Sequence, residues 1–553
     1  MRTELFDIVV VGGGVTGAGA ALDAATRGLN VALIEKRDYA AGTSSRSSKL
    51  IHGGLRYLEQ LNFALVREAL RERSLLLTRL APHLVKPVSF LYPLRRRGWE
   101  RLYVGAGVTL YDVLASTRGD GPALPRHRHL TKRQALKLAP ALRRDSLVGA
   151  IRYSDAQVDD ARHTMMLART AAAHGAATAT STRVTDFLRE GERVVGVRVV
   201  DLESGEEFDV RSRQVINATG VWTDDLQNFA GRGRIKVRAS KGVHLVVPRD
   251  RIHADSGIIL RTPSSVLFVI PWGRHWIIGT TDTQWTLGKA HPAASRADID
   301  YILKHVNAVL AQPLTAADVE GVYAGLRPLL HGESEATSTL SREHAVSQAV
   351  PGLVTVAGGK YTTYRVMAAD AVDMAAYGLD ARVPPSCTAE IPLVGAVGYR
   401  AAWNRRGALA AESGLHVARI EHLLNRYGTL ADDLLAMIAK APDLARPVPG
   451  AEDYLAVEIV YAASHEGALH LDDVLTRRTH TSIESFDRGV AACEPVAQLM
   501  AGVLGWDDET VKREVEHYCL RVAAEIESQE QADDLTADAA RLGAPDVRLG
   551  AGG

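Results

Sequence analysis

The stretch SSKLIHGGLRYLEQ, residues 47–60, gathers Lys49, His52, Arg56, Tyr57 and Glu59 about a Gly53–Gly54 pair. Imidazole, ammonium and guanidinium groups beside flexible backbone can move a proton and hold an anion close to the main chain. Guanidinium forks can bond two oxygens of an anion at once, and Tyr57 adds a neutral donor. A lone histidine on a strand is more often structural, so the chemistry depends on the elements that bring these side chains together.

The first of those elements is plain. Residues 6–36, FDIVVVGGGVTGAGAALDAATRGLNVALIEK, read as a β-branched run, a glycine turn, an alanine-rich helix and a second apolar run closing on Glu35. This predicts a βαβ nucleotide unit. Gly12, Gly14 and Gly17 permit the tight turn, the approach of backbone to a pyrophosphate and close helix packing, and Glu35 would accept hydrogen bonds from the adenosine ribose. The fingerprint alone does not separate FAD from NAD. RQVINATGVWTDDL (213–226) and GLVTVAGGKYTTYRVMAADAV (352–372) read as two more strands returning to the same site, and so long a wrapping suits a flavin, whose ring must be buried along with its diphosphate.

The expected architecture is therefore α/β, with a discontinuous Rossmann-like FAD-binding domain (1–92, 150–230 and 350–385) interrupted by a sheet-rich substrate domain (93–149 and 231–349). The segments 192–210, 240–248, 265–273 and 275–282 supply the alternating strand patterns. Past a Pro/Gly-containing connector at 383–398 the pattern turns helical, giving a C-terminal domain over 386–529 and an Asp/Ala/Gly-rich tail, 530–553, expected to be disordered.

At 553 residues the chain exceeds the ~250–300 at which single cores stop growing, so several domains are expected. Zero formal charge gives no reason to expect nucleic acid. Three separated cysteines without a CxxC pair argue against a disulfide framework or a thiolate metal site and favour a reducing compartment. The histidines of RHRHL (126–130) lack acidic or thiolate partners, so no metal is expected. MRTEL runs straight into a strand without a signal-peptide pattern, and no apolar run is long enough to span a bilayer, so any membrane contact is expected to be peripheral. The basic, aromatic stretch 93–114 reads equally as a membrane-surface element or a solvated face.

Seven motifs then carry a resemblance: TSSRSSKLIHGGLRYLE (43–59), YSDAQVDDAR (153–162), INATGVW (216–222), SKGVHLVVP (240–248), IIGTTD (277–282), GLRPL (325–329) and AGGKYTTYR (357–365). In this order they resemble the FAD-dependent, respiratory glycerol-3-phosphate dehydrogenase family over roughly residues 5–375, and the helical remainder is similar to that family's C-terminal domain. The resemblance implies oxidation of sn-glycerol 3-phosphate to dihydroxyacetone phosphate by hydride transfer to FAD, electrons passing to a membrane quinone, and a cytoplasmic protein attached to the inner face of the membrane. A homodimer is allowed for. It places Arg56, Tyr57, Arg327, Arg342 and Lys360 around the substrate. Gly12, Gly14, Gly17, Glu35, Ser44, Ser45, Lys49, His52, Gly53, Gly54, Thr219, Gly220, Gly359, Lys360 and Thr362 fall to the cofactor. His244 is preferred to His52 as the catalytic base, with Arg327 or Lys360 stabilising the developing alkoxide. The alternatives are a glycerol-3-phosphate oxidase using oxygen, another flavin amine or amino-acid oxidase, and a non-catalytic flavin-binding protein.

Overall fold

The computed structural model describes every residue except 55, 60, 97, 116–123, 232, 263–265, 332–342, 381, 545 and 549–553, with backbone alone for Arg56 and Glu59. Strand β1 (Leu5–Val11), helix α1 (Val15–Thr26) and strand β2 (Val31–Ile34) form the expected βαβ unit. β1 lies parallel to β2 on one side and to Glu207–Asn217 on the other, which in turn runs parallel to Leu353–Gly358. β1 and β2 are apolar almost throughout because helices or strands cover both faces. On one face α1 packs against the helices Asp160–Ala173 and Tyr364–Ala376. Small residues set that distance: a Cβ on Gly19 would stand 2.9 Å from the Tyr364 ring. Val11, Asn217 and Gly358 all end at one edge, so their following loops meet in the crevice where open parallel sheets bind ligands.

A second sheet of ten strands faces that crevice. Its long strand Val237–Pro248 pairs antiparallel with Gly321–Leu330 in a register that sets His244 opposite Tyr323 and Ser240 opposite Arg327. The expected boundaries need correcting here. Val85–Leu94 and Gly149–Val158, placed mostly in the nucleotide part by the sequence reading, pair with each other in the second sheet, whereas His344–Val350 joins the first. A short apolar strand shows its alternation but not its partner, so local pattern alone could not assign these segments.

From Tyr399 onward the chain is mainly helical, broken by the small pair Pro447–Val448 and Ala451–Leu455. Buried forks of charge dock this part on the rest. Arg478 donates to both oxygens of Asp38 at 2.7 Å each, and Arg162 donates to Glu466 at 2.8 and 3.2 Å. The expected disordered tail also needs correcting: Asp534–Leu542 is a helix, capped by Asp533 accepting the Thr536 N–H at 3.0 Å. Lys241 Nζ lies 2.5 Å from Asp534, and Arg548 donates to Asp473 at 2.7 Å. Composition makes these tail charges look solvated; the buried partners that they meet, Lys241 and Asp473, come from distant parts of the chain.

Candidate active site

A cavity of about 780 Å³ opens between the first sheet's edge and the face of the second. The three fingerprint glycines earn their places differently. Gly12 adopts φ +110°, and a Cβ there would sit 2.7 Å from the Ala218 carbonyl oxygen; a Cβ on Gly17 would overlap Gly12 O. Both are required by the protein's own packing. Gly14, the residue capping α1, would bring its Cβ near only Ser44 Oγ, at 3.2 Å, so the space that it leaves belongs to the cavity. Ser44 Oγ accepts the Val15 N–H at 2.9 Å. Glu35 accepts the Gly13 N–H at 2.6 Å and the Arg37 N–H at 2.8 Å, and each carboxylate oxygen keeps capacity for another donor.

Thr219 and Gly220 reach the cavity from one returning strand, and Gly359, Lys360 and Thr362 from the other. Gly220 and Gly359 take positive φ, +61° and +76°. His52 lines the cavity with its backbone clasped by Thr362, whose hydroxyl accepts the His52 N–H at 3.2 Å. Lys360 Nζ rests 3.6 Å from the centre of the Tyr57 ring, and both residues line the cavity.

His244 and Arg327 enter from the second sheet. The His244 ring stacks on Tyr323 with centroids 4.7 Å apart, and Nε2 is 2.8 Å from Ser48 Oγ. Its Nδ1 is buried without a hydrogen-bond partner. Burial first, then the like charges of Arg327 and Lys49, hold its pKa well below the usual histidine range, so the imidazole is neutral. Arg327 donates to Thr280 Oγ1 at 3.0 Å and to the Thr281 carbonyl at 3.2 Å, which aims its fork along the cavity wall.

Four expected cofactor residues face elsewhere. Lys49 is fully buried in an ion pair with Asp160 at 2.5 Å, since an ammonium out of water needs a carboxylate more than a ring edge. Ser45 lines a separate, smaller cavity and lends its carbonyl to Lys49 Nζ. Gly53 donates its N–H to Tyr111 Oη at 2.8 Å, and a side chain there would strike Leu70 and Tyr111; one on Gly54 would strike the Tyr57 ring. Their smallness serves packing. Arg342 lies outside the described residues, and of Arg56 only the backbone of the helix Arg56–Glu59 is described.

Sequence reasoning weighed Ser48 with its neighbouring serines but chose Ser44 and Ser45, and it missed Arg37, Arg46 and Trp222; Ser48 and these three are on the cavity wall. Each sits inside or beside a motif already noted, but a serine-rich loop does not show which hydroxyl turns inward. Among the described residues no group of three or more metal-ligating side chains occurs, and His127 of the RHRHL segment is paired with Asp112 at 2.7 Å.

A flavin dinucleotide fits these walls: a gap at a helix N-terminus for its diphosphate, a carboxylate at the end of β2, and a buried, unpartnered imidazole nitrogen on the same lining. The fold and site thus define a flavin-dependent oxidoreductase, and residues 7–365 match the FAD dependent oxidoreductase family. Residues 386–511 match the C-terminal domain of alpha-glycerophosphate oxidase. The chain is 60% identical over 547 residues to a glycerol-3-phosphate dehydrogenase of Mycobacterium leprae, covering 99% of this chain and 93% of that one. It is 36% identical to the human mitochondrial glycerol-3-phosphate dehydrogenase over 539 residues, 93% of this chain and 73% of the relative. The glycerol-3-phosphate dehydrogenase of Bacillus halodurans, solved with FAD, superposes with a TM-score of 0.77 at 29% identity, covering 94% of each chain. The chain belongs to the FAD-dependent glycerol-3-phosphate dehydrogenase family.

Proposed function

We propose that the chain oxidises sn-glycerol 3-phosphate to dihydroxyacetone phosphate and passes the electrons to a membrane quinone. The observation that carries the substrate class is the meeting of Arg327, Lys360 and Tyr57 with His244 in one cavity. Two cations and a phenol suit a phosphate group, and a neutral histidine suits an alcohol proton. An amine or amino-acid oxidase would need a carboxylate clamp beside an uncharged amine site.

FAD, when bound, supplies the hydride acceptor. Arg327 and Lys360 hold the phosphate and so fix the distance of the reacting carbon from the ring. The hydroxyl proton passes to Ser48 Oγ as that serine's own proton moves to His244 Nε2. Burial first, and then Arg327 and Lys49, oppose a charged imidazole, and the substrate's negative charge offsets the two cations.

Peripheral attachment to the inner face of the membrane is supported by the helix Trp99–Ala115. Trp99, Leu102, Tyr103 and Val113 are exposed on it, Trp99 stacks on Tyr103 at 6.3 Å, and Arg95 and Arg96 are exposed just before it. Large apolar groups beside arginines suit an anionic lipid surface. No helix among the described residues is long and apolar enough to cross a membrane.

The test is anaerobic mixing of the holoenzyme with glycerol 3-phosphate while the flavin absorption near 450 nm is followed. Bleaching, then recovery on adding a quinone analogue, is expected. Recovery as fast with oxygen alone would favour an oxidase, and no bleaching would reject the substrate.

A further inference from the structure

Arg46 stands in the wall between the main cavity and a smaller one of about 50 Å³. The small chamber lies where the second sheet meets the C-terminal helices, with Arg521, Glu525 and Arg541 on its far side. Among the described residues no carboxylate or other acceptor meets the Arg46 guanidinium. Arg46 is part-buried; its desolvation first, and then the nearby charges of Arg37, Arg521, Arg541 and Arg477, work against its charge. Such a group is costly unless an anion joins it.

The chamber's own acid does not balance it. Glu525 is 4.0 Å from Arg541, whose Nη1 is spent on the Arg521 carbonyl, and Arg521 leans on Asp472. The Ser482 hydroxyl adds a donor to this lining, whereas the Thr476 hydroxyl is spent on Asp472 at 2.9 Å. Holding one water takes only ~10–15 Å³, so the chamber admits a small tetrahedral anion but no nucleotide.

We propose that this chamber is a second anion site, distinct from the substrate's phosphate position, that takes a small oxyanion of the inorganic phosphate class. Occupancy would brace the loop whose Ser44 and Ser48 face the flavin cavity. The proposal rests on the proposed function only in taking dihydroxyacetone phosphate to fill the main cavity.

The experiment uses FAD-saturated protein with dihydroxyacetone phosphate in excess, so that the main cavity is filled, and compares unfolding midpoints in sodium phosphate and in sodium chloride at equal ionic strength. Phosphate should raise the wild-type midpoint by about 1–3 °C in a saturable way. Arg46→Gln and Arg541→Gln should each abolish the rise, and Arg46→Lys should keep part of it. No phosphate-specific rise in the wild type, or an equal rise in both glutamine variants, overturns the proposal. So does loss of bound FAD from Arg46→Gln, since Arg46 would then serve the cofactor's diphosphate. If Arg541→Gln does not fold, the Arg46 pair of variants decides alone.

Discussion

Ser48 Oγ lies 2.8 Å from His244 Nε2, a bond that ties the loop after the first βαβ unit to a central strand of the second sheet. If a proton travels this bond, Ser48→Ala and His244→Asn should each lower kcat by about 10²- to 10⁴-fold while KM moves little. Burial keeps His244 neutral, so its protonation should contribute no acid limb near the ordinary histidine pKa of ~6.5. A limb there that disappears in His244→Asn would contradict this, as would a loss seen in KM alone.

Gly14 and Gly17 should fail differently. Gly14→Val fills space lining the cavity, so a folded protein without FAD is expected. Gly17→Val drives a side chain into the Gly12 carbonyl and should yield little folded protein. Flavin-to-protein ratio and circular dichroism on both variants check the pair; full FAD occupancy in Gly14→Val would remove the fingerprint from the site.

Lys49→Met leaves Asp160 buried without its cation, and breaking such a pair costs about 3–5 kcal/mol. The loss should appear in denaturant unfolding. The FAD dissociation constant of the folded fraction should stay within about threefold, and a larger change would return Lys49 to the cofactor.

His83 is fully buried, neither ring nitrogen has a hydrogen-bond partner, and burial, helped by Lys86, pushes its pKa down to about 3. The folded form therefore stays neutral where the unfolded form takes up a proton. Its contribution is intact above the unfolded pKa of ~6.5 and falls by about 1.4 kcal/mol per pH unit between there and pH 3. Unfolding of the wild type and His83→Asn at pH 7, 6 and 5 should show a shallower loss in the variant; parallel curves would mean that His83 titrates normally.

Much of this was legible in the chain. Strand, glycine turn, helix, strand and Glu35 form one local pattern, and local backbone demands at Gly12 and Gly17 are what such patterns encode. Motif context also brought His244, Arg327 and Lys360 to a common cavity across more than a hundred residues of sequence. What failed depended on distant partners. Lys49 sits among motif residues, but Asp160 decides where its ammonium points. Asp534 reads as solvated tail until Lys241 of the second sheet is placed beside it. Ser45 and Ser48 are equivalent as letters, and only the turn of the backbone sends one to the small chamber and the other to His244.

The proposed reaction depends on cations that hold a phosphate so that an alcohol carbon can give up its hydride. The most direct measurement is kcat/KM of wild type and Arg327→Ala with glycerol 3-phosphate and with glycerol. Wild type should use glycerol very poorly, because binding energy from the phosphate positions the reacting carbon. Arg327→Ala should lose about 2–5 kcal/mol of transition-state stabilisation with glycerol 3-phosphate, roughly 30- to 5,000-fold, and far less with glycerol. An equal loss on both substrates would make Arg327 a structural residue and contradict the claim.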